Sequence, residues 1–166
     1  MNKPVLIMLV GLPAAGKSTY SKKLSDKYDA TIFSSDKLRV EMFGDIHNRD
    51  RNPELFTELH KRIKECLMSG KSAIYDATNI NSRRRRSFLQ ELNKIECGKL
   101  CIIMATPYKK CLESNSCRDR HVPENVINDM YEDWSLPSYE EGWDEIAIKY
   151  YGITEPCKIE GGGANV

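Results

Sequence analysis

The chain has 166 residues, 40% of them hydrophobic, a length that predicts one domain with a substantial buried core. Its formal net charge of +1 argues against a protein that coats nucleic acid by bulk electrostatics, although a local basic rim is compatible with binding a few phosphates. The six cysteines lack paired Cys-x-x-Cys spacing and the histidines are not clustered, so we expect reduced thiols rather than a zinc site.

The first apolar run, Val5 to Val10, predicts a strand that leads into Gly-Leu-Pro-Ala-Ala-Gly-Lys-Ser-Thr at 11–19. Two glycines separated by four residues and followed by Lys-Ser form the phosphate-binding loop pattern, because small residues let backbone N–H groups curve around phosphates. We expect Lys17 to reach the β and γ oxygens and Ser18 to offer its hydroxyl to Mg²⁺. The pattern therefore predicts a protein that uses a nucleoside triphosphate. The predicted nucleotide contacts are Gly11, Pro13, Ala14, Ala15, Gly16, Lys17, Ser18 and Thr19.

Short apolar runs alternate with helical patterns along the chain, which is typical of an α/β layered fold with a mainly parallel sheet. Further strands are predicted at Thr31–Ser34, Ser72–Tyr75, Leu100–Ala105 and Glu145–Tyr150. Helices are predicted at Lys17–Tyr28, Asp36–Phe43, Pro53–Met68, Ser82–Ile95, Tyr108–Ser116 and Pro123–Trp134. The polar segment 45–52 has no apolar period and predicts a mobile loop.

The ends of the chain lead to two further expectations. We expect a single domain over residues 1–159 and a disordered tail over residues 160–166, where three consecutive glycines occur. The apolar segment near the N-terminus is too short to span a membrane, so we expect a cytoplasmic protein without a membrane partner.

A first polar cluster follows the strand predicted at Thr31–Ser34, and ligands of open α/β sheets bind beyond the carboxyl ends of strands. Asp36 and Arg39 lie three residues apart and therefore share one face of the helix that begins there. Asp36 is a candidate to accept the proton of an attacking hydroxyl, and Arg39 to hold an anionic group. Alternatively, Ser35 or Asp36 caps the helix and Arg39 is solvated.

A second cluster, Asp-Ala-Thr-Asn at 76–79, directly follows the strand predicted at Ser72–Tyr75. Phosphate-loop enzymes place a carboxylate that orients Mg²⁺ at such a strand end, so Asp76 is a candidate metal residue. A plain turn residue is the alternative.

Two arginine-rich segments remain. Arg118 and Arg120 lie on a connector between two predicted helices, where they would fold over the transferred phosphoryl group or be ordinary loop charges. The four arginines at 83–86 begin a helix, and because successive helical residues point about 100° apart, at most two can reach one ligand. A solvated face is the favoured interpretation of this run, and a rim for a polyanion is the alternative.

Taken in order, the segments 11–19, 34–39, 74–79 and 116–127 resemble the zeta-toxin-like and AAA-type phosphate-loop kinases. They are most similar to the 5′-kinase domains of polynucleotide kinases from phage-type and bacterial RNA-repair enzymes. This resemblance implies a three-layer P-loop NTPase fold with a mainly parallel central sheet and a small helical lid at about 116–123. It also implies ATP as phosphate donor and Mg²⁺ as cofactor.

The resemblance further implies a role for each matched residue. Asp36 corresponds to the general base for a 5′-hydroxyl, and Arg39 to the residue that binds the phosphate on the acceptor side. The remaining roles that the resemblance implies are ATP phosphate contacts for Lys17, Arg118 and Arg120, and the Mg²⁺-binding hydroxyl for Ser18. The segment Asp-Ala-Thr-Asn at 76–79, with Thr78 and Asn79, corresponds to the lining of the acceptor cleft.

Three functions stay open at the level of sequence. The first is a kinase acting on the 5′-hydroxyl of a DNA or RNA end, which the resemblance favours. The second keeps the same machinery but uses a nucleoside, a modified DNA base or another small alcohol as acceptor. The third is an NTP-binding switch that hydrolyses slowly and signals through loop ordering.

Overall fold

Five parallel strands and one antiparallel edge strand form a single sheet in the computed structural model, which describes residues 2–160. The strands are β1 (Val5–Val10), β2 (Thr31–Ser34), β3 (Ala73–Asp76), β4 (Gly98–Ala105), β5 (Glu145–Tyr150) and β6 (Cys157–Ile159). Their spatial order is β2-β3-β1-β4-β5-β6, so β1 and its following loop lie at the centre. The five predicted strands are present, and β6 escapes prediction because its three exposed residues carry no apolar pattern.

The helices are α1 (Lys17–Tyr28), α2 (Ser35–Phe43), α3 (Asn52–Met68), α4 (Ser82–Glu91), α5 (Tyr108–Ser116) and α6 (Glu124–Glu132). Two short 3₁₀ turns, Leu92–Lys94 and Tyr139–Glu141, complete the regular structure of the described residues. The helix predicted at 82–95 is shorter than expected, because its last turn tightens into the first of these 3₁₀ turns.

The hydrophobic core lies on both faces of the sheet, and β1 contributes to each by strand alternation. Leu6, Met8 and Val10 pack with α3 and α4 on one face, while Ile7 and Leu9 pack with α1 and α5 on the other. Because both faces of a parallel sheet carry apolar side chains, helices cover the sheet on both sides. The arrangement confirms the predicted three-layer α/β fold.

Two further expectations concern the cysteines and membrane-spanning helices. All six cysteines lie within residues 2–160 and are free, as expected for reduced thiols. No described helix has the length and apolar character needed to cross a membrane. The predicted tail, from residue 161 onward, lies outside the described residues.

Candidate active site

The loop between β1 and α1 has the backbone of an anion cradle. Ala14 and Gly16 both have positive φ, 61° and 92°, a conformation that turns neighbouring N–H groups toward one side. Gly11 lies so close to β4 that a Cβ atom there would come within 2.9 Å of the Met104 Cβ. The glycines of the motif are therefore required by the close packing and by the turn, and α1 begins with its N-terminus at the cradle.

Lys17 is buried at the base of the cradle. Its ammonium donates hydrogen bonds to the carbonyl oxygens of Gly11 at 3.0 Å and Leu12 at 2.6 Å. Burial lowers the pKa of Lys17 to about 8, because neutral carbonyls compensate a desolvated cation only in part. A triphosphate bound in the cradle would supply the negative charge that this lysine lacks.

The predicted metal residues meet although they are far apart in the sequence. The Ser18 hydroxyl, in the first turn of α1, donates a hydrogen bond to Oδ2 of Asp76 at the end of β3, at 3.0 Å. Burial raises the pKa of the Asp76 carboxyl, while the positive charge of Lys17 opposes that shift.

These two oxygens fit Mg²⁺, which prefers oxygen ligands and typically keeps few protein ligands beside waters and substrate phosphates. Within residues 2–160, no group of three or more His, Cys, Asp or Glu side chains has the geometry of a metal cage. Ser18 and Asp76 would therefore hold the ion together with nucleotide phosphates and water.

The first turn of α2 presents the predicted base. The Ser34 side chain accepts a hydrogen bond from the Lys37 backbone N–H at 3.3 Å and caps the helix, so the expectation that Ser35 or Asp36 is the cap is wrong. Asp36 is exposed, and its Oδ2 accepts a hydrogen bond from Nη2 of Arg120 at 2.9 Å. The lid arginine thus lies directly on the candidate base.

Arg39 is buried, and the alternative in which it is solvated is wrong. Its Nη1 donates to the Asn48 carbonyl at 2.8 Å and to Oδ1 of Asn52 at 2.5 Å, which fixes the guanidinium against the loop before α3. Burial lowers the pKa of Arg39, and the positive charge of Arg49 acts in the same direction. Both effects favour an anionic ligand beside it.

The segment after β3 is tied to the end of β1. The Gly11 N–H donates to the Thr78 carbonyl at 3.0 Å, and the Asn79 amide donates to the Leu9 carbonyl at 2.9 Å. Asn79 has a φ of 51°, which asparagine tolerates better than most residues. The amide nitrogen of Asn79 thus holds the end of β1, the Thr78 carbonyl holds the first residue of the phosphate loop, and contact of Asn79 with an acceptor stays a prediction.

One cavity of about 490 Å³, the phosphate cleft, joins the predicted donor and acceptor residues. Its walls carry the phosphate loop, Asp36, Arg39 and the lid arginines Arg118 and Arg120. The predicted residues that line it are Pro13, Ala14, Gly16, Lys17, Ser18, Thr19, Asp36, Arg39, Asp76, Thr78, Arg118 and Arg120. Gly11 and Ala15 are buried within the loop and do not line the cleft.

Sequence reasoning missed four basic residues of the cleft: His47 and Arg49 from the polar loop before α3, Arg84 from α4, and His121 from the lid connector. The loop has no motif that could have predicted them. Arg84 belongs to the arginine run at 83–86, and it is the residue that fits the rim alternative for that run.

Arg85 contradicts the solvated interpretation of the same run, because only 1% of it is exposed. Its Nε and Nη2 donate to the Glu141 carboxylate at 2.9 and 2.7 Å, and it also binds the carbonyls of Asn79 and Ser135. The Trp143 indole N–H donates to the same carboxylate at 2.9 Å. A fully paired guanidinium can be buried at a helix position that faces the core.

Comparison with known proteins agrees with this geometry. A family model described as an AAA domain matches residues 6–137. The chain belongs to this family of P-loop kinases. The match spans the phosphate loop, the Asp36 turn, the end of β3 and the lid connector.

The L-seryl-tRNA(Sec) kinase of Methanococcus maripaludis is 32% identical over 151 residues, which are 84% of this chain and 56% of that protein. The chain thus spans little more than half the length of this curated relative.

Two solved structures share the fold. Chaetomium thermophilum Kti12 in complex with ADP-AlF3 superposes with a TM-score of 0.75 at 16% identity, covering 90% of this chain and 91% of that one. A chain of the Pnkp1/Rnl/Hen1 RNA repair complex superposes with a TM-score of 0.66 at 18% identity, covering 80% and 44%.

Proposed function

We propose that this protein is an ATP-dependent kinase that transfers the γ-phosphoryl group to the 5′-hydroxyl of a polynucleotide. The observation that carries the proposal is the phosphate cleft, because the phosphate loop and the Asp36 carboxylate line one cavity. A hydrolysing switch has no use for a carboxylate and buried arginine at an acceptor position. A kinase needs both.

In the proposed reaction, the acceptor hydroxyl oxygen attacks the γ-phosphorus while the bond from that phosphorus to the ADP oxygen breaks. The proton of the hydroxyl passes to Asp36, whose exposed carboxylate faces the cleft. Lys17 stabilises the charge on the β and γ oxygens, and Ser18 and Asp76 hold Mg²⁺. When bound, Mg²⁺ neutralises charge that develops on the phosphates.

The lid arginines complete this arrangement. Arg118 is exposed and lines the cleft, so it is free to reach a phosphate oxygen. Arg120 instead bonds Asp36 in this structure, at 2.9 Å. This contact uses only Oδ2, so Oδ1 of Asp36 can accept the proton of the acceptor, and Arg120 would contribute to the ATP phosphates by moving from Asp36 to a phosphate oxygen.

The acceptor side of the cleft favours an acceptor that itself carries phosphate. Arg39, Arg49 and Arg84 line this cleft in addition to the residues assigned to ATP. An uncharged alcohol would leave these cations without a counter-charge, whereas the phosphate that follows the first nucleotide of a polynucleotide would supply one.

A second candidate is a hydroxyl on a different acceptor, either an aminoacyl group carried by a tRNA or a small alcohol. The 32% identity to an L-seryl-tRNA(Sec) kinase favours the aminoacyl form. The same cradle and base would serve it, so the acceptor has to be determined by experiment.

The test is transfer of labelled γ-phosphate from ATP with Mg²⁺ to parallel acceptors: 5′-hydroxyl oligonucleotides of RNA and DNA, seryl-tRNA, free nucleosides and small alcohols. Wild-type protein is compared with Asp36→Asn and with Asp26→Asn, an exposed aspartate of α1 that does not line the cleft. We expect Asp36→Asn to bind ATP normally and to lose transfer by about 10²- to 10⁴-fold. Asp26→Asn should behave as wild type.

Label on the oligonucleotides that disappears in Asp36→Asn supports the proposal. Label on seryl-tRNA or small alcohols alone would move the assignment to the second candidate. Undiminished transfer by Asp36→Asn would remove Asp36 as the base, and ATP hydrolysis without a labelled acceptor would favour a switch.

A further inference from the structure

A second cavity of about 340 Å³ adjoins the phosphate cleft and has no part in the chemistry described above. It lies between α3, the end of β3 and α4, and we call it the aromatic pocket. Its aromatic members are Phe56, His60, Tyr75 and Phe88. The two cavities share the lining residues Asn52, Phe56, Ala77, Thr78 and Arg84, so they lie side by side along this boundary.

The floor of the aromatic pocket is a cluster of packed rings. The His60 and Phe88 ring centroids lie 4.2 Å apart, and Tyr75 meets Phe88 edge-on at 5.4 Å. Tyr75 and Phe88 are buried, and the Tyr75 hydroxyl forms a hydrogen bond with Nε2 of His60 at 3.0 Å. Burial lowers the pKa of His60, which favours the neutral ring in this position. The ring cluster is therefore uncharged, and the guanidinium of Arg85, which also lines the pocket, is paired with the Glu141 carboxylate.

The mouth of the pocket has a different character. Phe56 is half-buried, and Arg84 is exposed, and both residues line the two cavities. A phenyl ring and a planar guanidinium are the two kinds of group on which nucleobases stack. Asn81 and Ser87 add polar groups at the exposed rim.

We propose that the aromatic pocket receives the nucleobase of the acceptor's 5′-terminal nucleotide, an inference that rests on the proposed polynucleotide function. The ring cluster offers no positive charge to a phosphate, and Arg85 is already paired with Glu141, so a phosphate placed on the rings would lose its hydration without a counter-charge. A planar ring instead gains stacking contact, and the cavity has the size of a small-molecule site.

This placement is consistent with the neighbouring site. With the base in the aromatic pocket, the sugar lies at the boundary near Thr78, and its 5′-hydroxyl enters the cleft that contains Asp36. The following phosphate then meets the cleft arginines. Because stacking accepts every base, we expect recognition of a base without strong preference among the four.

The test compares two oligonucleotide acceptors that differ only at the first nucleotide, which carries a base in one and is abasic in the other. For the wild-type protein, we expect kcat/KM to be about tenfold or more higher with the base present. Phe56→Leu keeps apolar volume but removes the ring, so it should lower kcat/KM more for the acceptor that carries the base and thereby lose most of this ratio. Phe56→Tyr keeps the ring and should retain the ratio.

The possible failures are distinguishable. Equal kcat/KM values for the two acceptors in the wild-type protein would overturn the base pocket while leaving the kinase proposal intact. An equal loss on both acceptors in Phe56→Leu would assign Phe56 a merely structural role and also overturn it. If the wild-type protein phosphorylates neither oligonucleotide, both the pocket inference and the polynucleotide function are wrong.

Discussion

At the scale of single residues, Lys17 connects the folding of the loop with nucleotide binding. Its ammonium is buried and hydrogen-bonded to the Gly11 and Leu12 carbonyls, and its pKa is lowered to about 8. In the free protein, Lys17 therefore loses its proton at mildly alkaline pH. Triphosphate oxygens in the cradle would raise its pKa again by stabilising the charged form.

Nucleotide binding should accordingly take up a proton near and above pH 8, and affinity should fall as pH rises through about 8 toward 9.5. Below that range Lys17 is already charged in the free protein, so the uptake disappears. Calorimetric titration in buffers of different ionisation enthalpy measures it directly. Lys17→Met should bind weakly and show no uptake, while Lys23→Met, an exposed lysine of α1, should retain it. A flat affinity profile in the wild-type protein would contradict this account.

At the scale of elements, Arg85 holds together three parts of the chain that surround the site. It joins α4 to the Asn79 carbonyl after β3 and to Ser135 and Glu141 before β5. The same segment after β3 binds Gly11 of the phosphate loop through the Thr78 carbonyl and Leu9 of β1 through the Asn79 amide. The buried ion pair therefore fixes the position of the segment that contains Thr78 and Asn79.

Arg85→Met should destabilise the protein by about 3–5 kcal/mol, because it leaves the Glu141 carboxylate buried without a counter-charge. Denaturant unfolding measures the change. Arg83→Ala, an exposed arginine of the same helix, should change stability by no more than about 0.5 kcal/mol. Adding Glu141→Leu to Arg85→Met should recover part of the loss. A loss below about 1 kcal/mol in the single variant would show that the pair contributes little.

The lid connector between α5 and α6 is tied at its base. The buried Asn115 side chain donates to the Val122 carbonyl at 2.7 Å and accepts from the Val122 N–H at 2.9 Å, which closes the connector into a loop. Arg118 and Arg120 lie within this loop, and Arg120 bonds Asp36. In the free protein, the Arg120–Asp36 ion pair therefore connects the lid connector to the candidate base.

A double-mutant cycle tests this connection. Arg120→Ala and Asp36→Asn remove the two partners of one contact, so their effects on kcat should be strongly non-additive. The effects of Arg118→Ala and Asp36→Asn should be close to additive. Single-turnover transfer rates provide the measurement. Additive effects of the Arg120 pair would indicate that the ion pair plays no part in the reaction cycle.

In the whole molecule, the residues predicted to bind ATP come from parts of the chain that are distant in sequence, from the phosphate loop to the lid connector. A ligand that binds only the folded state stabilises it by about 2.7 kcal/mol at one hundred times its Kd. For a domain of this size, we expect ATP with Mg²⁺ to raise Tm by about 5–10 °C at that concentration. Thermal unfolding followed by circular dichroism measures the shift, and Lys17→Met at the same nucleotide concentration should show much less. The absence of a shift in the wild-type protein would argue against nucleotide binding.

Much of the fold follows from local pattern. The strands β1 and β5 and the helices α1 and α5 begin and end where the sequence predicts, because their apolar periods and flanking turns are clear. The edge strand β6 has no such period, and the pairing that creates it is decided by its neighbour β5.

In the candidate site, some features follow from neighbouring residues and others from contacts between residues that are far apart in the sequence. The phosphate loop could be identified from sequence because its chemistry needs consecutive residues at fixed spacing. Asp36 and Arg120 are also visible as motif residues, but their 2.9 Å contact joins positions far apart in the chain and depends on the fold. The burial of Arg85 could not be read from a run of four arginines, since it requires a carboxylate from another element.

Local sequence pattern accounts for the alternating α/β order, the phosphate cradle and the residue types that suit phosphoryl transfer. Each of these depends on neighbouring residues or on a short helical or strand period. The burial of Arg39 and Arg85, the contact between Ser18 and Asp76, and the aromatic pocket beside the cleft depend on the packing of different elements. Their partners come from other segments, 9 residues away for Arg39 and Asn48 and 58 residues away for Ser18 and Asp76, so local pattern does not reveal them.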